Sequence, residues 1–190
     1  MNQTLTTPTS PSSASPNSAS PHAASAHSAW APSRGDHATP SAPPRIAIIG
    51  ASWHGDIVGQ GIESLRKELA RGGVPAEHVQ TFTVPGAFEI PLHAQRLALG
   101  GHFDAIVAVA FVVNGGIYRH EFVSAAVIDG LMRVQLDSDV PVFSAVLTPR
   151  DFHETEEHQQ FFLAHFVKKG AEVANACLQT LRALASLPMH

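Results

Sequence analysis

AVAFVVNGGIYRHEFVSAAVIDGL, residues 108–131, begins inside an unbroken apolar run, Ala105 to Val113. Such a run reads as a strand buried on both faces, the pattern of a parallel sheet. Asn114, Gly115 and Gly116 then interrupt it and supply conformational freedom. Tyr118, Arg119 and His120 supply chemistry, and a helical pattern resumes at Glu121. A buried strand that runs through a glycine loop into a helix is where α/β proteins hold small molecules, and the helix start favours an anion. An ordinary βα connection has the same pattern, so the flanking sequence has to discriminate.

On the N-terminal side, RIAIIG (45–50) is a short β-branched run closed by glycine, hence a strand. ASWHGDI follows, then Val58, Ile62, Leu65 and Leu69 at helical spacing, with Asp56 or Ser52 as the expected cap. Gly72-Gly73-Val74-Pro75 ends that helix. VQTFTV (79–84) is the second strand, broken by Pro85-Gly86, and a helix is expected from Phe88 to Leu99. The third strand spans 103–113. On the C-terminal side a helix covers Glu121 to Leu136, and PVFSAVL (141–147) is the fourth strand. Residues 151–187 read as helix in two parts, broken or kinked at Gly170. Strands alternating with helices imply a parallel sheet covered on both faces, and right-handed crossovers bring the C-terminal strand ends to one edge. That edge collects Ser52-Trp53-His54, Thr83 to Glu89, Val112 to His120 and Ser144 to Pro149.

Composition narrows the function. Residues 1–44 are mostly Ser, Pro, Ala, Thr and His without apolar periodicity, so a disordered tail is expected there and one folded domain over 45–190. The tail has neither the basic start nor the apolar core of a secretory signal. A net charge of −4 with no basic patch argues against a nucleic-acid partner, and no apolar run reaches membrane-spanning length. The single cysteine, Cys177, fits a reducing cytoplasm and lies on an apolar stripe with Val173, Leu181 and Leu184, as a core thiol does. No GxGxxG follows the first strand and no GxxxxGK[ST] occurs, so a nucleotide cofactor has no support.

Several residues at the shared edge have chemistry to offer. Trp53 sits in a loop rather than in a periodic stripe, so its face is available to stack on a planar heterocycle. In VPGAFEIP (84–91), Glu89 lies at a helix start, where it either answers the helix dipole or accepts hydrogen bonds from a ligand. HETEEH (153–158) is not HExxH, because five helical residues rotate by about 140° and part the two histidines. A metal is therefore not expected, and imidazole donors to a phosphate are the competing reading. Lys168-Lys169-Gly170 is either a solvated helix end or a phosphate contact, the latter within the chain or across a subunit boundary.

Taken together, ASWHGDI, TFTVPGAFEIPL, AVAFVVNGGIYRHEF, VFSAVLTP and HFVKKGAE resemble the 6,7-dimethyl-8-ribityllumazine synthases of riboflavin biosynthesis, over essentially all of residues 45–182. The details are most similar to the type II branch, associated with decamers. The resemblance implies a three-layer α/β/α domain with a four-stranded parallel, flavodoxin-like sheet, in a homo-oligomer of five or ten subunits. It implies a reaction with no cofactor or metal: 5-amino-6-(D-ribitylamino)uracil condenses with 3,4-dihydroxy-2-butanone 4-phosphate, releasing phosphate and water. By the same resemblance Trp53 stacks on the pyrimidine, while Ala87, Phe88 and Glu89 hold the ribityl chain and ring. Val112, Val113 and Asn114 read the pyrimidine edge, and Ser144 falls where a neighbouring subunit's aromatic usually stands. Gly116, Ile117, His158 and Lys169 match the phosphate positions.

Three departures from the family pattern stand out. His54 replaces the usual asparagine after the stacking aromatic, and His158 replaces the phosphate-binding arginine. The catalytic histidine falls on Arg119 in an ungapped alignment, with His120 one residue later. Guanidinium groups stay protonated at neutral pH, so either His120 moves the proton after a one-residue shift, or Arg119 acts electrostatically. A non-catalytic lumazine or flavin binder is the alternative reading.

Overall fold

A computed structural model describes residues 42–115, 117 and 119–188. The expected tail therefore lies outside the described residues, apart from its last three. Of those, Pro43 presents a carbonyl that accepts from His78 Nδ1 at 3.0 Å. The chain runs β1 (Ile46–Ala51), α1 (Gly55–Arg71), β2 (Val79–Val84), α2 (Ile90–Leu99), β3 (Ala105–Phe111), α3 (His120–Ser138), β4 (Val142–Leu147) and α4 (Glu156–Ala185). Short 3-10 turns, Ala76–His78 and Ala87–Glu89, precede β2 and α2. All strand pairs are parallel, in the order β2-β1-β3-β4.

Strand alternation divides the core into two layers. Ile46 and Ile48 join Val107, Val109 and Phe111 under α1 and α4, whereas Ala47, Ile49, Ile106, Ala108 and Ala110 face α2 and α3. Both central strands are buried along their whole length, which is why their sequences read as continuous apolar runs. The order places β1 beside β3, so the reversal of strand order opens a crevice between their C-terminal ends.

Two local expectations fail. Neither Ser52 nor Asp56 caps α1. His54 takes the N-cap position in the left-handed region (φ 53, ψ 42) with no side-chain cap, and Ser52 Oγ instead donates to the Val84 carbonyl at 2.8 Å. That bond ties the end of β1 to the end of β2. Gly170 does not divide the last helix, because α4 is continuous for 30 residues. The glycine lies where α4 crosses α1, and a Cβ added there would stand 2.2 Å from the Gly61 carbonyl oxygen. Gly61 faces Phe166 in return, with its added Cβ 2.9 Å from that ring. Close backbone approach, not a break, is the reason for the glycine. Ser64 Oγ donates to the Val167 carbonyl at 2.6 Å across the same seam.

Cys177 is fully buried in the α1–α4 layer, and desolvation pushes its thiol up to about 12. Because only the thiolate is nucleophilic, the folded protein should not react with a thiol reagent at pH 8. After unfolding in guanidinium, one thiol per chain should titrate. Stoichiometric labelling of the native protein would contradict the burial.

Candidate active site

At the C-terminal edge, the ends of β1, β2 and β3 and the start of α3 enclose an apolar-walled cleft of about 360 Å³. Ala51, Trp53 and His54 come from the β1–α1 connection, Ala87 and Phe88 from the turn after β2. Phe111, Val112, Val113 and Gly115 form the β3 side, with Arg119, His120 and Val123 at the α3 start. Among the lining residues, the ionisable ones are His54, Arg119 and His120.

Each lining group is held by a nameable local cause. Trp53 is 66% exposed, with its ring lying over Gly86. A Cβ on Gly86 would approach Trp53 Cζ3 to 2.7 Å, so the glycine leaves the room the indole occupies against the turn. The turn is also braced from inside, because Glu89 Oε2 accepts from the Gly86 N–H at 2.9 Å. His54 leans edge-on against Phe111 and Phe152, with ring centroids 5.5 and 5.8 Å away. Its left-handed backbone suits only a few residue types, Gly, Asn, Asp and His among them. This gives a physical account of why histidine stands where the lumazine synthase pattern has asparagine.

Arg119 and His120 differ in setting. Arg119 is exposed at the N-cap of α3, its guanidinium carbon 5.5 Å from the Phe122 ring centroid, a cation–π arrangement. The His120 side chain is only 14% exposed, with Nδ1 3.6 Å from Glu121 Oε2. Ser124 Oγ donates back to the His120 carbonyl at 2.9 Å and fixes the first turn. The free N–H groups of that turn add a positive end to the cleft.

The structure thus brings Trp53, Ala87, Phe88, Val112, Val113, Arg119 and His120 together. Gly116 lies outside the described residues. Ile117 is 86% exposed and does not line the cleft. Glu89 has one carboxylate oxygen committed to Gly86, and Asn114 Oδ1 accepts from the Phe152 N–H at 3.0 Å. Ser144 is exposed on edge strand β4, in register with Ala108 rather than at the strand end. His158 and Lys169 lie eleven positions apart on α4. At 1.5 Å per residue that separates them by roughly 16 Å along the helix axis, and neither lines the cleft of its own chain. Lys169 pairs with Glu172 at 2.7 Å, and that hydrogen bond holds the Glu172 carboxyl below its usual range.

Three residues that shape the cleft or its surroundings carry no signal in the sequence. Phe111 is hidden inside an apolar run, Val123 inside a helical pattern, and Phe152 is a single aromatic in the polar run RDFHETEEH.

A family model described as 6,7-dimethyl-8-ribityllumazine synthase matches residues 43–185. A 6,7-dimethyl-8-ribityllumazine synthase of Rhodococcus erythropolis is 58% identical over 144 residues, 76% of this chain and 93% of that protein. The 6,7-dimethyl-8-ribityllumazine synthase 2 of Bradyrhizobium diazoefficiens is 53% identical, covering 80% of this chain and 91% of its own length. That of Pseudomonas syringae pv. tomato is 52% identical, over 75% of this chain and 84% of its own.

Proposed function

The chain belongs to the 6,7-dimethyl-8-ribityllumazine synthase family, and we propose that the cleft at the C-terminal sheet edge is where the family's condensation takes place. The reaction joins 5-amino-6-(D-ribitylamino)uracil to 3,4-dihydroxy-2-butanone 4-phosphate, giving 6,7-dimethyl-8-ribityllumazine, phosphate and water. The observation that carries the site assignment is the pairing of an exposed indole, Trp53, with an enclosed imidazole, His120, across one apolar cleft.

In this reading the pyrimidine stacks on Trp53, between the Ala87-Phe88 turn and Val112-Val113. The remaining carboxylate oxygen of Glu89 reaches a ribityl hydroxyl. The ketone phosphate sits at the glycine loop, Gly116 and Ile117, beside the α3 N-terminus and Arg119. Attack of the 5-amino group on the ketone carbon forms a C–N bond and leaves a proton on nitrogen. His120 takes that proton and returns it to the hydroxyl that departs as water, giving the Schiff base. Phosphate is then eliminated, the enol left behind tautomerises to a ketone, and the ribitylamino nitrogen adds to that ketone with loss of a second water, closing the ring. A primary amine is already a good nucleophile and phosphate a good leaving group, so holding the two substrates together supplies much of the acceleration.

The domain would span 45–190, with 1–44 a tail, in keeping with the family match over 43–185. Self-association completes the site. α3 buries Val127, Leu131 and Val134, yet on its other side exposes Phe122, Ile128, Met132 and Leu136. A helix apolar on two sides is covered on two sides. A second copy is the natural cover, because Ser144, His158 and Lys169 lie outside the cleft of their own chain and need a neighbouring cleft to serve. A pentamer or decamer in the cytoplasm is the assembly proposed, with Cys177 kept as a free thiol.

Mixing the purified protein with both substrates should produce lumazine absorbance, from a particle sedimenting at five or ten times the chain mass. A folded oligomer that binds lumazine, quenching Trp53 fluorescence in a Trp30→Phe background, yet forms none in single turnover would be a carrier and not a synthase.

A further inference from the structure

The first turn of α4 carries a histidine whose proton position is set from outside its own ring. In the connection between β4 and α4, the His153 backbone N–H donates to His158 Nδ1 at 3.1 Å. A backbone amide can only donate, so Nδ1 holds a lone pair and the ring proton stands on Nε2. Nε2 has no partner among the described residues, and no unpartnered side-chain polar atom is buried among them. This N–H therefore opens to the surface. The ring is held in place by Phe152 and Phe162, with centroids 6.2 and 6.5 Å away. Thr155, the N-cap of α4, accepts from the His158 backbone N–H. A second proton on His158 would have to displace the His153 bond. The two imidazole rings stand 5.5 Å apart, and cations at that spacing repel. Of the two, only His153 has a carboxylate beside it to offset a proton, Asp151 Oδ2 at 3.3 Å from Nε2. Among the described residues, none of the adjacent Glu154, Glu156 and Glu157 forms an ion pair with His158.

We infer that His158 is an uncharged hydrogen-bond donor, its Nε2–H set by the His153 amide and offered to a phosphate oxygen in a neighbouring subunit's cleft. The inference rests on the reading that residues of α4 serve a neighbour's cleft and not their own. Arginine, which the family pattern has at this position, is a fixed cation with a fork of donors. His158 keeps one donor and drops the charge. Lys169, the other phosphate-matching residue on α4, has its charge offset by Glu172 at 2.7 Å. The helix thus brings direction to the phosphate with little net charge. Attraction of the anion is left to Arg119 and the α3 start of the receiving cleft.

Glutamine places an amide NH2 where histidine has Nε2, whereas asparagine places it near Nδ1. His158→Ala and His158→Asn should each raise KM for 3,4-dihydroxy-2-butanone 4-phosphate roughly tenfold, the effect of one lost hydrogen bond to an anion. His158→Gln should stay within about threefold of the wild type. Added potassium chloride should raise that KM equally in the wild type and His158→Gln, and more steeply in His158→Arg, where a charge is restored. The second readout needs no substrate. Magic-angle-spinning NMR of sedimented, 15N-histidine-labelled wild-type protein should show a protonated Nε2 and a bare Nδ1 for the ring at 158. Whichever of these variants folds assigns that ring by its missing signal. A protonated Nδ1, equal KM values for the asparagine and glutamine variants, or a flatter salt response in His158→Gln would overturn the inference. Failure of the wild-type protein to turn over the phosphate ketone, with the Nε2–H tautomer in place, would instead overturn the functional reading beneath it.

Discussion

His120→Ala should lower kcat about a hundredfold, while Arg119→Ala should mainly raise KM for the phosphate ketone and leave kcat within a fewfold. The distinction follows from where the two side chains sit. Carbinolamine formation and dehydration need a group that both takes and returns a proton at neutral pH, which imidazole does and guanidinium does not. His120 is also the more enclosed of the two, lining the cleft with its first helical turn fixed by Ser124. A positioned acid–base group contributes roughly 10²–10⁴ to rate. The low end is appropriate here, because the uncatalysed steps already have a good nucleophile and a good leaving group. Arg119 sits exposed over Phe122, placed to attract an anion at the α3 start. Chemical rescue supplies the second readout: added imidazole should restore part of the His120→Ala rate and none of the Arg119→Ala loss. Reversed kcat losses would return the catalytic role to Arg119. Equal, small losses in both would mean that neither residue moves the proton.

The sheet is legible because its central strands are buried on both faces, and a short continuous apolar run between glycine loops fits little else. Helix boundaries and glycine roles are not. Ser52 and Asp56 both look like caps for α1, but a cap requires the residue to stand at the turn. The chain instead enters α1 through a left-handed His54, and Ser52 turns to β2. Gly170 looks like a breaker because local propensity is all that sequence displays, whereas the reason for it lies in α1, more than a hundred residues earlier. The site shows the same division. Trp53, Ala87, Phe88, Val112, Val113, Arg119 and His120 are legible because strand ends converge in any parallel sheet. The commitments of Asn114 and Glu89 are not legible, because an amide or a carboxylate in a loop looks wholly free until its backbone partner is seen. For Ser144, His158 and Lys169 the chain alone supplies no common site, since strand register and helix rise hold them apart from the cleft or from each other.

Gly170→Ala should destabilise the protein by about 3 kcal/mol, although alanine is the better helix former by up to about 1 kcal/mol. The added Cβ would meet the Gly61 carbonyl oxygen at 2.2 Å, with Gly61 C and Leu65 N both at 3.0 Å. These are backbone atoms of a packed helix, so no rotamer change relieves the contact. Relief requires α4 to move away from α1, and that loosens the Phe166 seat on Gly61 and stretches the Ser64–Val167 hydrogen bond. Overpacking of this kind costs typically 1–3 kcal/mol and more where backbone must shift, which outweighs the propensity gain. For a domain of this size the loss corresponds to a Tm about 6–12 °C lower, read at one fixed protein concentration because assembly also contributes to Tm. Gly59→Ala is the matched control. Gly59 is likewise inside a helix, here α1, but its added Cβ meets nothing within 4 Å, so alanine there should leave Tm unchanged or raise it slightly. If both variants melt at or above the wild-type temperature, close approach of α1 and α4 is not what Gly170 is for.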